Sequence, residues 1–207
     1  YDLMHSDIHI KTGSKTLKIN NFYKELSTLE TSNDCICNLL IILENNKPKN
    51  VLITADIIWF SEICVKKVKN FISKKLSISS SRIVLCASHT HGTPNPEKSI
   101  LRPKYSISFD KYLYKKIIQI FEQTLLEEKM FVYPQFRRIP ENDFSINRRR
   151  KAFSFKNGIN YKMQNLPNFK KEIDKNIDLI EFIHKDSRKV AASIIKTNCH
   201  PVSSPEN

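Results

Sequence analysis

The sequence predicts an α/β fold, a mixed β-sheet flanked by helices with a parallel β-α-β unit inside it. Three observations carry this expectation. An apolar run at 51–58, a stretch at 61–76 with apolar residues at helical spacing, and a second apolar run at 83–87 read as strand, helix, strand. Such a crossover is almost always right-handed and parallel. The run CICNLLIIL, residues 35–43, precedes it across a polar turn, which suggests an antiparallel hairpin onto the first of those strands. Finally, two apolar strands, 83–87 and 190–195, each lead into a histidine-bearing loop.

Taken in order, residues 1–34 are polar and poorly patterned, and His5 and His9 are expected in a loop or an edge strand. Residues 35–43 form a strand, 45–50 a turn, and 51–58 a second strand interrupted by Asp56 near its C-terminal end. Ser61 starts a helix whose Val65, Val68, Phe71, Ile72 and Leu76 form one stripe, with lysines on or near the other face. A second helix spans about 109–129, burying Leu113, Ile117, Phe121 and Leu125, with Phe109, Tyr112 and Tyr114 in packing roles. Residues 131–140 read as an irregular strand broken by Pro134, and 152–175 as polar loop with a turn at Asn157-Gly158. Strands at 177–183 and 190–195 close the pattern, joined by a turn at 184–187.

Composition sets the bounds. With 207 residues, 40% of them hydrophobic, the chain can build one sizeable domain and is not disordered. No apolar run approaches the roughly 20 residues that span a bilayer. The net charge of +13 raises an anionic partner, but the lysines are scattered and solvated surface is the favoured reading. Five cysteines are an odd number in a chain too long to need staples, and no disulfide framework is expected. Cys64, Cys86 and Cys199 read as small core residues, while Cys35 and Cys37 share one strand face. The chain opens on Tyr1 and closes on Asn207 just past a site-like motif, so both ends are expected to lie inside a longer protein, and the compartment is left open.

The chemistry concentrates at strand ends. His89 and His91 stand two apart after an apolar strand, so on an extended backbone both address one site. The crossover puts Asp56 at the same C-terminal edge as His89, and a carboxylate within an apolar strand is costly unless paired or coordinated. A hydrogen-bonded structural aspartate is the equal alternative. His200 ends the strand at 190–195, which makes a strand-end metal site the better reading of three such histidines. Between them Asn147 precedes the cationic run Arg148-Arg149-Arg150-Lys151, from which one arginine could point into a site while the others are solvated.

The motifs ASHTHGTPN, SINRRR and TNCHPVSS, with the strand ITADIIWF and the passage NLPNFKKEIDKNIDLIEF, resemble the neutral/alkaline non-lysosomal ceramidase family, within its N-terminal catalytic domain. The likeness runs from about residue 35 to the end and is closer to bacterial ceramidase-like members. It implies a zinc amidohydrolase that cleaves the N-acyl C–N bond of ceramide. It implies zinc ligation by His89 and His200, and places His91 and Arg148 beside the scissile amide; Asp56 and Asn147, from their places in the chain, could stand behind that set. The family's remaining ligands, a glutamate and a tyrosine, are expected beyond Asn207. Where the family usually reads Ser-Gly-Pro after the histidine pair, this chain has Gly92-Thr93-Pro94. The implied partner is an N-acylated lipid or other small molecule, with peripheral membrane contact; nucleic acid is not expected, and oligomeric state is left open. The rivals are a hydrolase of another amide or ester, such as a cell-envelope glycan derivative, a basic module binding nucleic acid or anionic membrane, and a metal-free remnant.

Overall fold

The computed structural model describes residues 7–19, 35–91, 93, 96, 107–140, 145–154 and 159–199. Their backbone contacts divide into two compact units. The first spans 1–133, 184–191 and 201–207, and the second spans 134–183 and 192–200.

The first unit is a mixed sheet carrying two helices. Strands β1 (Ile8–Leu17), β2 (Cys35–Glu44), β3 (Lys47–Ala55) and β4 (Ile83–Ala87) lie in the order β4-β3-β2-β1, and the first residues of β5 (Met130–Pro140) pair with β1. The hairpin of β2 and β3 forms as the sequence predicts, because the two-residue turn Asn45-Asn46 adopts positive φ at both positions. Asparagine tolerates that conformation, and the twist it gives suits a tight antiparallel connection. β3 and β4 are parallel neighbours in register Val51↔Ile83 to Ala55↔Ala87, joined through helix α1 (Glu62–Leu76).

Period-2 burial fixes which face of the sheet packs. Cys35, Cys37, Leu39, Ile41 and Leu43 of β2 are buried on the face shared with Val51, Ile53 and Ala55 of β3. Against it lie Cys64, Val68 and Ile72 of α1 and Phe109, Leu113, Ile117, Ile120 and Phe121 of α2 (Ile107–Leu126). Each fully buried large aliphatic or aromatic side chain here is worth about 1.5–3 kcal/mol relative to exposure. The Ser61 hydroxyl caps α1, accepting from the Cys64 N–H at 2.9 Å and donating to Asp110 of α2 at 2.5 Å, so one side chain both starts α1 and ties it to its neighbour.

Two expectations need correction in this unit. His9 is in neither a loop nor an edge strand: β1 runs between β2 and β5, and His9 stacks on Phe131 with ring centroids 4.8 Å apart. Its core contribution was masked by lysines and by Gly13, which is there for packing. A Cβ at Gly13 would lie 2.0 Å from Thr124 Oγ1 and 3.1 Å from Ile120 Cγ2, so the missing side chain lets α2 approach the strand. Cys86, like Cys199 of the second unit, is exposed rather than core, whereas Cys35, Cys37 and Cys64 are buried. His5 lies outside the described residues.

The second unit contains the rest of β5 in the order β5-β8-β9, with β8 (Asn176–His184) and β9 (Val190–Lys196), and a separate antiparallel ribbon of β6 (Asn147–Ser154) and β7 (Asn160–Asn168). β5 runs continuously through Pro134, and the expected loop at 152–175 holds the end of β6 and all of β7. An ion-pair network fastens these strands: Arg138 to Asp178 at 2.6 Å, Lys196 to Asp174 at 3.1 Å and to Asp178 at 3.4 Å, and Arg137 to Glu181. Backbone and side-chain hydrogen bonds from Asn176, with Lys196, hold the Asp174 carboxyl far below the usual carboxylate range; the Arg138 guanidinium does the same for Asp178 less strongly.

Candidate functional site

The parallel pair β3 and β4 ends level at Ala55↔Ala87, so Asp56 and Ser88 are the first residues past the same edge of the sheet. The two segments beyond are then laced together by backbone hydrogen bonds. Ser88 N–H donates to the Ala55 carbonyl at 3.0 Å, and His89 N–H donates to the Ile57 carbonyl at 3.0 Å. Ile57 and Ile58 are buried, so the apolar run continues into this edge although the strand has ended.

Ile58 is gripped at both of its backbone polar groups. Its N–H donates to Thr93 Oγ1 at 3.1 Å, and its carbonyl lies 2.8 Å from His89 Nδ1. A carbonyl can only accept, so Nδ1 carries the proton, and in the neutral ring the lone pair then sits on Nε2. A backbone carbonyl holding the other ring nitrogen is how ligating histidines are commonly oriented. The His91 ring stands edge-on to that of His89, centroids 5.1 Å apart and 85° between planes. The structure thus brings His89 and His91 together, but not by the route the sequence argument took. The strand stops at Ala87 and His89 has φ 63°, the left-handed region, so the pair is set by a turn and not by alternation along an extended backbone. That conformation costs a non-glycine residue roughly 1–2 kcal/mol, which the hydrogen bonds to Ile57 and Ile58 offset.

Asp56 shares the edge but is engaged on the β2 side. Its Oδ2 accepts from the Ile36 N–H at 2.9 Å while its own N–H donates to the Ile36 carbonyl at 2.9 Å, a reciprocal pair that extends the hairpin. Burial, with help from this carboxylate, pushes the Cys37 thiol up to about 12; burial and Asp110 do the same for Cys64. Both thiols are therefore uncharged core residues.

Asn147 and Arg148 open β6 in the second unit. The ladder register slips between Asn147 and Arg149, which puts Arg148 at a bulge, and Asn147 Oδ1 accepts from the Arg149 N–H at 2.9 Å. Arg148, Arg149 and Arg150 are all exposed. The extra residue of the slip lies on β7, where Leu166 and Pro167 stand opposite Arg148. His200 lies outside the described residues. The gripping atoms that sequence reasoning missed are the Ile58 carbonyl and Thr93: a backbone oxygen leaves no trace in residue identity, and Thr93 is marked only by its place two after His91.

No family model matches the chain, and neither a curated protein nor a solved structure is similar to it. Zinc, which the ceramidase resemblance implies, can be tested only on the donor chemistry present. His89 has the tautomer and the backbone anchor a ligand needs, with a second imidazole alongside. Among the described residues no group of three or more His, Cys, Asp and Glu side chains stands together to complete a shell.

Proposed function

We propose that this chain contributes to a zinc-dependent amidohydrolase that cleaves the C–N amide bond of an N-acylated lipid, with His89 and His200 as metal ligands. The observation that carries the reading is the His89 imidazole, anchored through Nδ1 on the Ile58 carbonyl in a left-handed turn at the edge of a parallel strand pair. Such edges are where open α/β sheets keep their ligands. The ordered motifs around His89, Arg148 and His200 support it through the ceramidase resemblance.

Zinc, when bound, supplies a Lewis acid and a water that deprotonates near neutral pH. The residues of this chain supply the rest. The Ile58 carbonyl keeps His89 from rotating, and Thr93 keeps Ile58 in place. His91, in contact with the His89 ring, is the group to hold a proton destined for the leaving nitrogen. Arg148, always charged, is the group to receive negative charge developing on the carbonyl oxygen.

The test is hydrolysis of a fluorogenic N-acyl amide by the protein. Turnover should vanish on chelation and return with zinc. His89→Ala should abolish it, and Arg148→Ala should lower kcat by about 10²-fold with zinc content unchanged, whereas Arg149→Ala should change little. Turnover that survives His89→Ala, or equal losses from both arginine substitutions, would overturn the assignment.

A further inference from the structure

The β6–β7 ribbon combines positive charge with exposed apolar surface. Its strands read NRRRKAFS and NYKMQNLPN, with Arg148, Arg149, Arg150, Lys151 and Lys162 and not one Asp or Glu. Residues opposite each other in a ladder share a face, as do alternate residues along each strand. The register pairs Arg149 with Asn165, Lys151 with Met163 and Phe153 with Tyr161, so these six lie on one face. Running toward the hairpin end, that face presents a cation, then a cation beside a thioether, then two aromatic rings. Phe153 is 62% exposed, Tyr161 60% and Met163 52%. The other face is different: Gln164 folds back, its Nε2 donating to the carbonyls of Ala152 and Phe153 at 2.9 and 2.8 Å, and both Gln164 and Ala152 are half-buried.

We propose that the Arg149–Lys151–Phe153 face of the ribbon docks on an anionic lipid membrane. The order of the residues is the argument. At about 3.3 Å per residue, Lys151 sits about 7 Å and Arg149 about 13 Å behind the aromatic pair. With the rings inserted at the headgroup–acyl boundary, to a depth of about 5–10 Å as interfacial elements adopt, both cations stand among lipid phosphates. A purely electrostatic surface would have no use for two rings at its leading end. Single-stranded nucleic acid, the other polyanion, stacks its bases on open ring faces. Here the Phe153 and Tyr161 rings lean on each other, centroids 5.1 Å apart at 49°, and partly cover those faces. The proposal stands on the ribbon alone and neither needs nor tests the zinc reading. The residues at 155–158, outside the described set, play no part in it.

The experiment is co-sedimentation of the 207-residue chain with vesicles of phosphatidylcholine alone, or containing about 30% phosphatidylserine, at low and at about 0.5 M salt. Binding should require the anionic lipid and weaken by at least about tenfold at high salt. Each cation near such a surface is worth about fivefold, so Arg149→Glu with Lys151→Glu should cost at least about 25-fold. Phe153→Ser with Tyr161→Ser should cost about tenfold or more while leaving net charge unchanged. Lys67→Glu with Lys74→Glu, the same charge change on α1, should leave binding nearly as it was. All these positions are exposed, and matched thermal unfolding confirms that the variants fold. Failure to bind anionic vesicles, or losses from the α1 pair as large as from the ribbon, would overturn the proposal. So would poly(U) binding that both ribbon variants lose while vesicle binding persists, which would assign the face to nucleic acid.

Discussion

His89 holds a strained backbone conformation for which its sequence neighbours give no excuse, since the glycine of this loop is three residues later. Strain of this kind persists where surrounding contacts over-determine it. Thr93 is the cheapest place to test that statement. Thr93→Val keeps the shape but removes the acceptor for the buried Ile58 N–H, so it should destabilise by about 1–3 kcal/mol in urea unfolding. An unchanged midpoint would mean the loop does not depend on this grip. Thiol chemistry gives a second residue-scale check. Cys86 and Cys199 are exposed, while Cys35, Cys37 and Cys64 are buried, the last two with raised pKa values. Titration with a disulfide reagent at pH 8 should therefore show two fast thiols and three that react only on unfolding.

Among the elements, β1 and the β6–β7 ribbon were the ones the sequence hid. IHIKTGSKTL alternates imperfectly, with lysines and Gly13 at positions facing α2, so its apolar signal falls below that of its partners. Lys11 resolves its own cost by donating Nζ to the Leu125 carbonyl at 2.6 Å, at the end of α2 where cations are favoured. Gly13→Ala should cost about 1–3 kcal/mol in chemical denaturation, because Thr124, itself bonded to the Ile120 carbonyl at 2.8 Å, must move. No loss would show that α2 sits less closely than the structure has it. The ribbon escaped detection for another reason: cations and amides occupy both of its faces, so there is no one-sided burial to read. The elements that were legible, β2, β3, α1, β4, α2, β5, β8 and β9, are those marked by a short apolar run or by apolar residues recurring at period 3.6.

At the scale of the molecule, the parallel strand pair explains why part of the site could be placed from sequence at all. The parallel pairing of β3 and β4 dictates that Asp56 and His89 leave the sheet at one edge. What sequence could not supply was the partner of each: Asp56 turned to Ile36 and His89 to Ile58, choices made by backbone groups with no residue signature. Stability is bounded by pH at both ends. Cys37 and Cys64 have folded pKa values raised from 9.0 to about 12, so the unfolded thiols ionise first. Their contribution is complete below about pH 9 and is lost as pH rises toward 12, at up to about 1.4 kcal/mol per pH unit for each thiol. Asp174 and Asp178 have depressed folded values, so what they contribute is present above the ordinary carboxylate range and is lost as pH falls below it. Both are solvent-screened, and the acid limb should be shallow beside the alkaline one. Equilibrium unfolding from pH 3 to 11 checks both limbs, and a flat alkaline side would contradict the burial of the two thiols.

Zinc ligation by His89, the step on which the proposed function depends, can be followed in the ¹⁵N signals of the imidazoles during a zinc titration. His89 should begin as the Nδ1–H tautomer, zinc should perturb its Nε2, and His89→Ala should weaken zinc binding by at least about tenfold. An Nε2 signal untouched by zinc, together with wild-type affinity in His89→Ala, would contradict it.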